Sequence, residues 1–546
     1  MRFSIGKCGL LTRSAGCLLA AAMVLVGFQG TGFANDGLTS NAIIHRAGLT
    51  IEWFTHTGVG APGGLTDWHI NVNENKSTTY FTIKAGKYRE KFSQNTLSPF
   101  GVPYGVEGAR EYAIVRSDVL KAEFENDGIK DVKIEVQEYT LPETTVYTLT
   151  SGAIVQAIDA DTGEVKWSTL VGDPALPSIG VGSNNEFVAA VNGSTLYCLD
   201  TKNGKLKWSA KCRYAVSSSP TVAVESIYVP LINGTLETFA LDEKGLNSYA
   251  YISKGRGTSR AVATEKTVAW PTSQGNLNVA AQFGEKRGVA YQLRSNDAIV
   301  SPPAYADGMF FVASLDGFLY AVDEERGVVV WQFSTGHAIA QAPVVLGDFV
   351  FVINEKREMF KIGTKSGLEA PGWENPRNDV DRFIAAGKEN MYLVDRFGNL
   401  MVMSQDAGAT LSTVRIGGVK SILPNLENDR LYMVSDRGTI QCIREIASPI
   451  PHFHSNEFLA VKFDPADPDN KLDASGQPIP EKPDPDDPFA LPGNPDTNKP
   501  PAADDNPFGS NKQDAIDDAN NPFGGGAKKA DDSSSKSDDD DPFKTD

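Results

Sequence analysis

"GAIVQAIDADTGEVKW" (Gly152–Trp167) is an apolar run, a polar turn and a tryptophan. The pattern returns as "NGSTLYCLDTKNGKLKW" (192–208), "NGTLETFALDEKG" (233–245), "QGNLNVAAQFGEKRG" (274–288) and "DGFLYAVDEERGVVVW" (316–331). Weaker copies follow at 356–367, 397–408 and 437–446. The glycine that opens a copy sits at 152, 193, 234, 275, 317, 398 and 438, and the sixth copy has Arg357 near the expected place. Seven intervals from 152 to 438 set a period near 41, the mark of a repeat architecture. An apolar strand such as "EFVAAV" or "MFFVAS" precedes each copy, and many have another short strand before that. Four short strands per period predict one propeller blade per copy.

Each copy carries the same local chemistry. Asp159, Asp200, Asp242 and Asp323 end a strand, where a carboxylate accepts hydrogen bonds from amides across the next turn. Gly163, Gly204 and Gly327 supply the positive φ that closes that turn. Trp167, Trp208 and Trp331 follow four residues later, and their large apolar area predicts a wedge between neighbouring blades rather than a cofactor platform. The last copy lacks a clear fourth strand. "RAGLTIEWFTHTG" (46–58) parallels "ERGVVVWQFSTGH" (325–337), with Trp53 opposite Trp331. The expectation is an all-β, eight-bladed propeller closed by its N-terminal strand, which leaves no open sheet edge.

The unit "GxLYxLDxxTGKxxW", best matched at 192–208 and 316–331, resembles the pyrroloquinoline-quinone-type (PQQ-like) propeller repeat over roughly residues 140–445. The resemblance implies one of two branches. Quinoprotein dehydrogenases hold the quinone over the axis between a tryptophan and a disulfide of adjacent cysteines, with calcium bound by acidic and amide groups. The other branch comprises non-catalytic eight-bladed propellers similar to BamB, a lipoprotein that helps assemble outer-membrane β-barrels. Adjacent cysteines are missing here: beyond the signal the chain has only Cys198, Cys212 and Cys442. The resemblance therefore implies a non-catalytic scaffold with no cofactor, acting as a monomer on protein partners of the bacterial cell envelope. The alternatives are a PQQ-dependent oxidoreductase and an extracellular glycan- or polymer-binding propeller.

The remaining segments read differently. Residues 1–34 form a signal peptide: Arg2, Lys7 and Arg13, an apolar core at 17–28, and Gly32 and Ala34 before the expected cut. Cys17 opens that core rather than following it, and Ser14 stands where a lipoprotein box has leucine, so Cys17 reads as part of the signal. No transmembrane span remains after cleavage, and the expected location is the periplasm or outer membrane, with secretion as the alternative. Residues 35–59 carry the closing strand and 60–131 a small α/β insertion. In the insertion, Ala109, Tyr112, Ala113, Leu120 and Phe124 recur at helical spacing and Gly128 ends the helix. The propeller occupies 132–463 and a disordered tail 464–546. The tail holds 21 acidic and 8 basic residues, a net of −13 within the chain's −18, so the body carries −5. A near-neutral body with a polyanionic tail excludes nucleic-acid binding. The three cysteines are expected to be free and buried, with Cys198 paired across its hairpin to about Lys207.

Two features are candidate binding elements. Loops joining successive blades contain Arg213, Arg256, Arg260, Arg294, His337, Arg382 and Lys420, with Asp297 and Asp381 among them, and predict a basic rim for an anionic partner or the protein's own tail. "DPF" at 487–489 and 541–543 and "NPF" at 506–508 and 521–523 place Phe489, Phe508, Phe523 and Phe543 on Asn/Asp-Pro turns, a multivalent linear-motif pattern. They look like the motifs read by endocytic adaptor domains. His452 and His454 share a strand face, but no third metal ligand lies near in sequence. No nucleophile triad or phosphate loop stands out.

Overall fold

The computed structural model describes residues 39–472, apart from 58–63, 87, 130–131, 242–247, 283–287, 374, 417–418, 436–437, 455–459 and 465–466. The signal peptide, the turn at Asp242 and all four Asn/Asp-Pro-Phe motifs lie outside the described residues. The chain divides into Met1–Ile479 and Pro480–Asp546, and the second unit lies wholly outside them.

The described strands form eight antiparallel sheets of propeller-like character. Five of the eight are built from four consecutive strands each, as in Ser178–Ser183, Phe187–Asn192, Thr195–Asp200 and Leu206–Lys211. One sheet has three strands, ending at Met359–Gly363, with Glu369 and Arg377 bridged to Ile362 and Met359 along its edge. The N-terminal strand Leu49–His56 pairs antiparallel with Thr439–Glu445 and so shares a sheet with the last copy. The three cysteines are free and buried, and burial pushes the Cys198 and Cys212 thiols up to about 12.

Three expectations change. Cys198 faces Trp208 rather than Lys207, because a β-bulge skips Lys207. The same bulge recurs beside Trp53, Trp167, Tyr291, Trp331 and Ser412. A bulge re-aims the side chain next to it and sharpens the local twist. In the first copy the left-handed turn residue is Ala153 (φ 59°), not Gly152, and in the sixth Arg357 (φ 64°) takes that conformation itself. The insertion is also not a separate body. Leu65–Ala85 is one 21-residue strand that pairs with Ile134–Thr150 along almost its whole length. Its first half continues the sheet of Ile154–Asp159 and Val165–Leu170, so the segment "DWHINVN" belongs to the first blade-like sheet. Past a register shift between Asn73 and Ser77, the outer half joins Tyr88–Ser93 and carries the helix Gly105–Asn126. That helix buries Ala109, Ala113, Ser117 and Leu120 against Phe81, Ile83, Phe92 and Val136. Strands Ala460–Asp464 and Asp467–Leu472 extend the same sheet beyond the expected tail boundary, because the outer edge of Ile134–Thr150 offers unpaired backbone groups.

Successive sheets dock by one repeated contact. The Trp53 indole N–H donates to Ala160 O (2.9 Å), Trp167 to Thr201 O (2.7 Å) and Trp331 to Thr364 O (2.8 Å). Each ring lies on the glycine that closes the turn of the next sheet. A β-carbon built on Gly163 would sit 2.6 Å from the Trp53 ring, and Gly204 and Gly367 meet Trp167 and Trp331 likewise. Tyr291 repeats the contact on Gly327, its hydroxyl donating to Glu324 O (2.9 Å). Trp373, which the spacing of the sixth copy hid, repeats it on Gly408 through Asp406 O (2.8 Å). Trp208 is buried, and residues 242–247, at the corresponding turn of the next copy in sequence, lie outside the described residues. The turns are held by their aspartates: Asp159 Oδ1 accepts from the amides of Asp161 and Thr162, Asp200 from Lys202, and Asp323 from Glu325 and Arg326.

Gly163→Ala is expected to cost about 2–5 kcal/mol, combining a left-handed residue (about 1–2 kcal/mol) with overpacking against Trp53 (about 1–3 kcal/mol). Gly128→Ala, also at positive φ but with open space around it, is expected to cost only the first part, about 1–2 kcal/mol. Urea unfolding of the two variants checks the difference.

Candidate functional site

The first strands of six sheets line an open cavity of about 900 Å³. Its wall is largely Pro, Ala and Val, from Pro220–Val222, Ala261–Ala263, Pro302–Ala304 and Ala342–Val345. Polar groups enter from His69, Ser183, Arg260, Tyr305, Glu427 and His454. Apolar walls with a few convergent polar groups are the usual make-up of a binding cavity.

One carboxylate organises the polar side. Asp67 Oδ2 accepts from the Val181 amide (2.9 Å), the Ser219 hydroxyl (2.7 Å) and the Arg260 guanidinium (3.3 Å). These partners come from, or immediately precede, the second, third and fourth sheets, so Asp67 ties four sheets together. Arg260 also faces His69 Nδ1 at 3.4 Å. Burial and the Arg260 charge hold the His69 ring at about 3, so it stays neutral and accepts from Arg260. On the other side, both ring nitrogens of His454 face carbonyl oxygens, Leu426 O at 2.7 Å and Ala386 O at 2.8 Å. Burial raises Glu427 above the ordinary carboxylate range, against the pull of His454.

The predicted rim residues do not form one basic mouth. Arg260 lines the cavity and is held by Asp67. Arg213 pairs with buried Glu237 (3.2 Å), and Asp381 is taken by Arg357 (3.2 Å). Arg256 and His337 are exposed in the connections between sheets. Arg294, Arg382 and Lys420 lie in strands rather than loops, because Val289–Arg294, Val380–Ala386 and Val419–Leu423 run further than the composition suggested. Each connection also bonds to a turn of the following sheet: Ile232, Ser273, Leu315 and Glu355 amides donate to Ala215, Arg256, Ala298 and Ala338 carbonyls. The side chains at or near these carbonyls are Arg213, Arg256, Asp297 and His337, so the rim does not carry a basic side chain at every connection. Among the described residues no group of three His, Cys, Asp or Glu is placed to hold a metal ion, and His452 and His454 stand with ring centroids 6.3 Å apart.

A second cluster ties the strand Leu49–His56 to the insertion and the last sheet. Glu52 is the bulged residue before Trp53. At the equivalent bulges, Lys166 and Lys207 reach back to Asp159 (3.1 Å) and Asp200 (2.8 Å) of their own turns. Glu52 instead meets Lys91 of the insertion (2.6 Å) and Arg430 of the last sheet (2.7 Å), with Arg444 at 3.7 Å. Lys91 in turn reaches Asp161 (2.5 Å), and Arg430 reaches Asp429 (2.8 Å). Burial alone would raise Glu52, but Arg430 and Lys91 outweigh it and hold the carboxyl below its ordinary value. Asp429 goes the other way, because its burial outweighs Arg430.

The repeat also matches known proteins. A family model described as "Outer membrane protein assembly factor BamB" matches residues 151–294 and 278–378. The match covers less than half of the chain and marks residues 151–378 as similar to PQQ-like repeats of the BamB type. A BamB of Yersinia pestis is 24% identical over 291 residues, 49% of this chain and 63% of that relative's length. Among solved structures, BamB from Moraxella catarrhalis aligns at TM-score 0.46 and 17% identity, covering 55% of this chain and 91% of its own. The computationally designed Ika8 protein aligns at TM-score 0.46 and 12% identity, covering 55% and 92%. The BamB-type match begins at residue 151, so Asp67, His69, Lys91 and the helix of the insertion lie outside it.

Glu52→Gln leaves Arg430 and Lys91 buried without their shared anion and is expected to cost about 3–5 kcal/mol. Because the folded-state pKa of Glu52 is lowered, its stabilisation is present above the ordinary value of 4.5 and is lost as pH falls through the folded value. Thermal unfolding from pH 7 down to pH 3 should show the variant less stable at neutral pH, with a shallower acid loss.

Proposed function

We propose that this protein is a non-catalytic, BamB-like interaction scaffold of the bacterial cell envelope, exported by its N-terminal signal. In this reading the eight sheets are eight blades of one ring, with Leu49–His56 completing the last. The observation that carries the function is the match of residues 151–378 to a family described as an outer-membrane protein assembly factor. Two physical features support it. The repeated residues are spent on blade docking and turn closure, which leaves the rim, the insertion and the tail for recognition. The cavity polar groups His69 and Arg260 are locked to one another and to Asp67, as befits a rigid frame.

The test is a crosslinking pull-down from envelope fractions, using the chain with and without residues 464–546, beside reconstitution of the purified protein with PQQ and Ca²⁺. The expected result is a discrete set of envelope proteins, with no quinone absorbance and no dye reduction. A tight stoichiometric quinone complex would overturn the scaffold reading in favour of an oxidoreductase. Retention on a glycan panel with no protein adduct would overturn it in favour of a polymer-binding propeller.

A further inference from the structure

The turns at one end of the cavity carry a charge pattern that the repeat does not need. In the second to eighth sheets, the turn after the first strand contains an acidic residue: Glu186, Glu225, Glu265, Asp307, Asp348, Glu389 and Glu427. They recur in step with the repeat, and all seven are exposed. Among the described residues none of the seven carboxylates has a salt bridge. Apart from the buried Asp429–Arg430 pair, the same turns contain two basic residues, Lys266 and Lys388, and Lys266 is taken by Glu325 (2.6 Å). Neutral side chains close the turns: Asn184 accepts from the Glu186 and Phe187 amides, Thr264 from Lys266 and Thr267, and Asn425 from Glu427. The carboxylates are therefore free to act outward.

Asp307, Asp348 and Glu427 line the 900 Å³ cavity directly. Asp307 and Tyr305 also border an adjoining cavity of about 440 Å³, together with Glu265, Glu324 and Glu325. Glu324 is buried and accepts from the hydroxyls of Thr264 (2.5 Å), Thr267 (2.8 Å) and Tyr305 (2.5 Å), so no cation bonds to its charge. The main cavity's own basic groups are already spent, Arg260 on Asp67 and His454 on two carbonyls. Its wall also holds an unspent group: Ser183 is only 7% exposed, and its hydroxyl has no hydrogen-bond partner. A buried polar group in that state is unfavourable until a ligand supplies the bond. A cleft lined by one sign of charge over apolar walls concentrates the opposite charge. We propose that this face docks a protein partner through an extended segment rich in lysine or arginine. Its charges meet successive turns, its aliphatic stems lie on the Pro, Ala and Val wall, and one cation stacks on the Tyr305 ring. This deepens the scaffold reading and rests on it. A chain of cations fits better than one metal ion, because among the described residues no three of these groups converge on a point. The apolar wall favours a peptide over a bare polyamine, and the acidic turns repel nucleic acid and anionic bilayers.

The test compares two charge-matched variants of the full-length protein. One combines Glu265→Gln, Asp307→Asn, Asp348→Asn and Glu427→Gln at the turns. The other combines Asp538→Asn, Asp539→Asn, Asp540→Asn and Asp541→Asn in the acidic tail. Asparagine tolerates the left-handed conformation of Asp307 (φ 50°), so the turn variant is expected to unfold at the temperature of the parent protein. The probe is a fluorescein-labelled peptide of alternating Arg and Ala, followed by anisotropy. The turn variant should bind it at least about 10-fold more weakly at low salt and the tail variant less than about 2-fold more weakly. High salt should weaken the parent protein's binding. In a crosslinking pull-down from the envelope fraction, the turn variant should lose a polypeptide that the tail variant keeps. Equal weakening by the two variants, binding of the parent protein that salt does not change, or displacement of the peptide by an equal concentration of spermine overturns the inference. Retention of the same envelope proteins by the turn variant overturns it while leaving the scaffold reading in place. A parent protein that retains no envelope protein overturns both.

Discussion

An aromatic ring lying on a glycine is the contact from which the rest of this structure follows. The ring can approach only because the turn residue has no β-carbon, and the turn closes only because that residue takes a left-handed conformation. One position thus serves geometry and packing at once. The bulge beside the ring aims it across the gap to the next sheet, and the indole N–H finds the carbonyl that the turn leaves open. Tyr291 shows that the requirement is a flat ring with a donor at its far end rather than an indole as such. Ser412, at the bulge of the seventh copy, shows where it lapses.

The N-terminal strand uses the same device with one charge reversed. A lysine at the bulge satisfies the aspartate of its own turn, so those sheets are electrostatically self-contained. Glu52 cannot do this and is bound by cations from the insertion and the last sheet. The reversal converts a local pair into a joint between distant parts of the chain. Asp67 plays a parallel part at the cavity, where one carboxylate gathers donors associated with three further sheets. Both joints depend on the insertion or its long strand, which makes that segment a structural partner of the repeat.

The repeat, its docking residues and its turn chemistry were legible because period 41 leaves the same residue types at the same spacing. Trp373 was not, since its copy replaces the fourth strand with an irregular segment and moves the ring out of phase. The bulge was invisible for a different reason. It shifts pairing by one residue without changing the sequence pattern, so Cys198 was assigned the wrong partner. The rim was over-read: a tally of arginines cannot say that Glu237 or Asp67 already holds them.

Sequence by itself determined the repeating unit, the all-β class, the charge divorce between body and tail, and the burial of three unpaired thiols. These depend on composition and short-range spacing, which the chain carries in plain order. Only the tertiary structure decided that a 21-residue strand serves both insertion and blade, that Asp67 and Glu52 are joints, and that Asp307, Asp348 and Glu427 meet at one cavity. Each of those depends on which groups meet across tens or hundreds of residues, and a pairwise contact of that kind leaves no periodic trace in a single sequence.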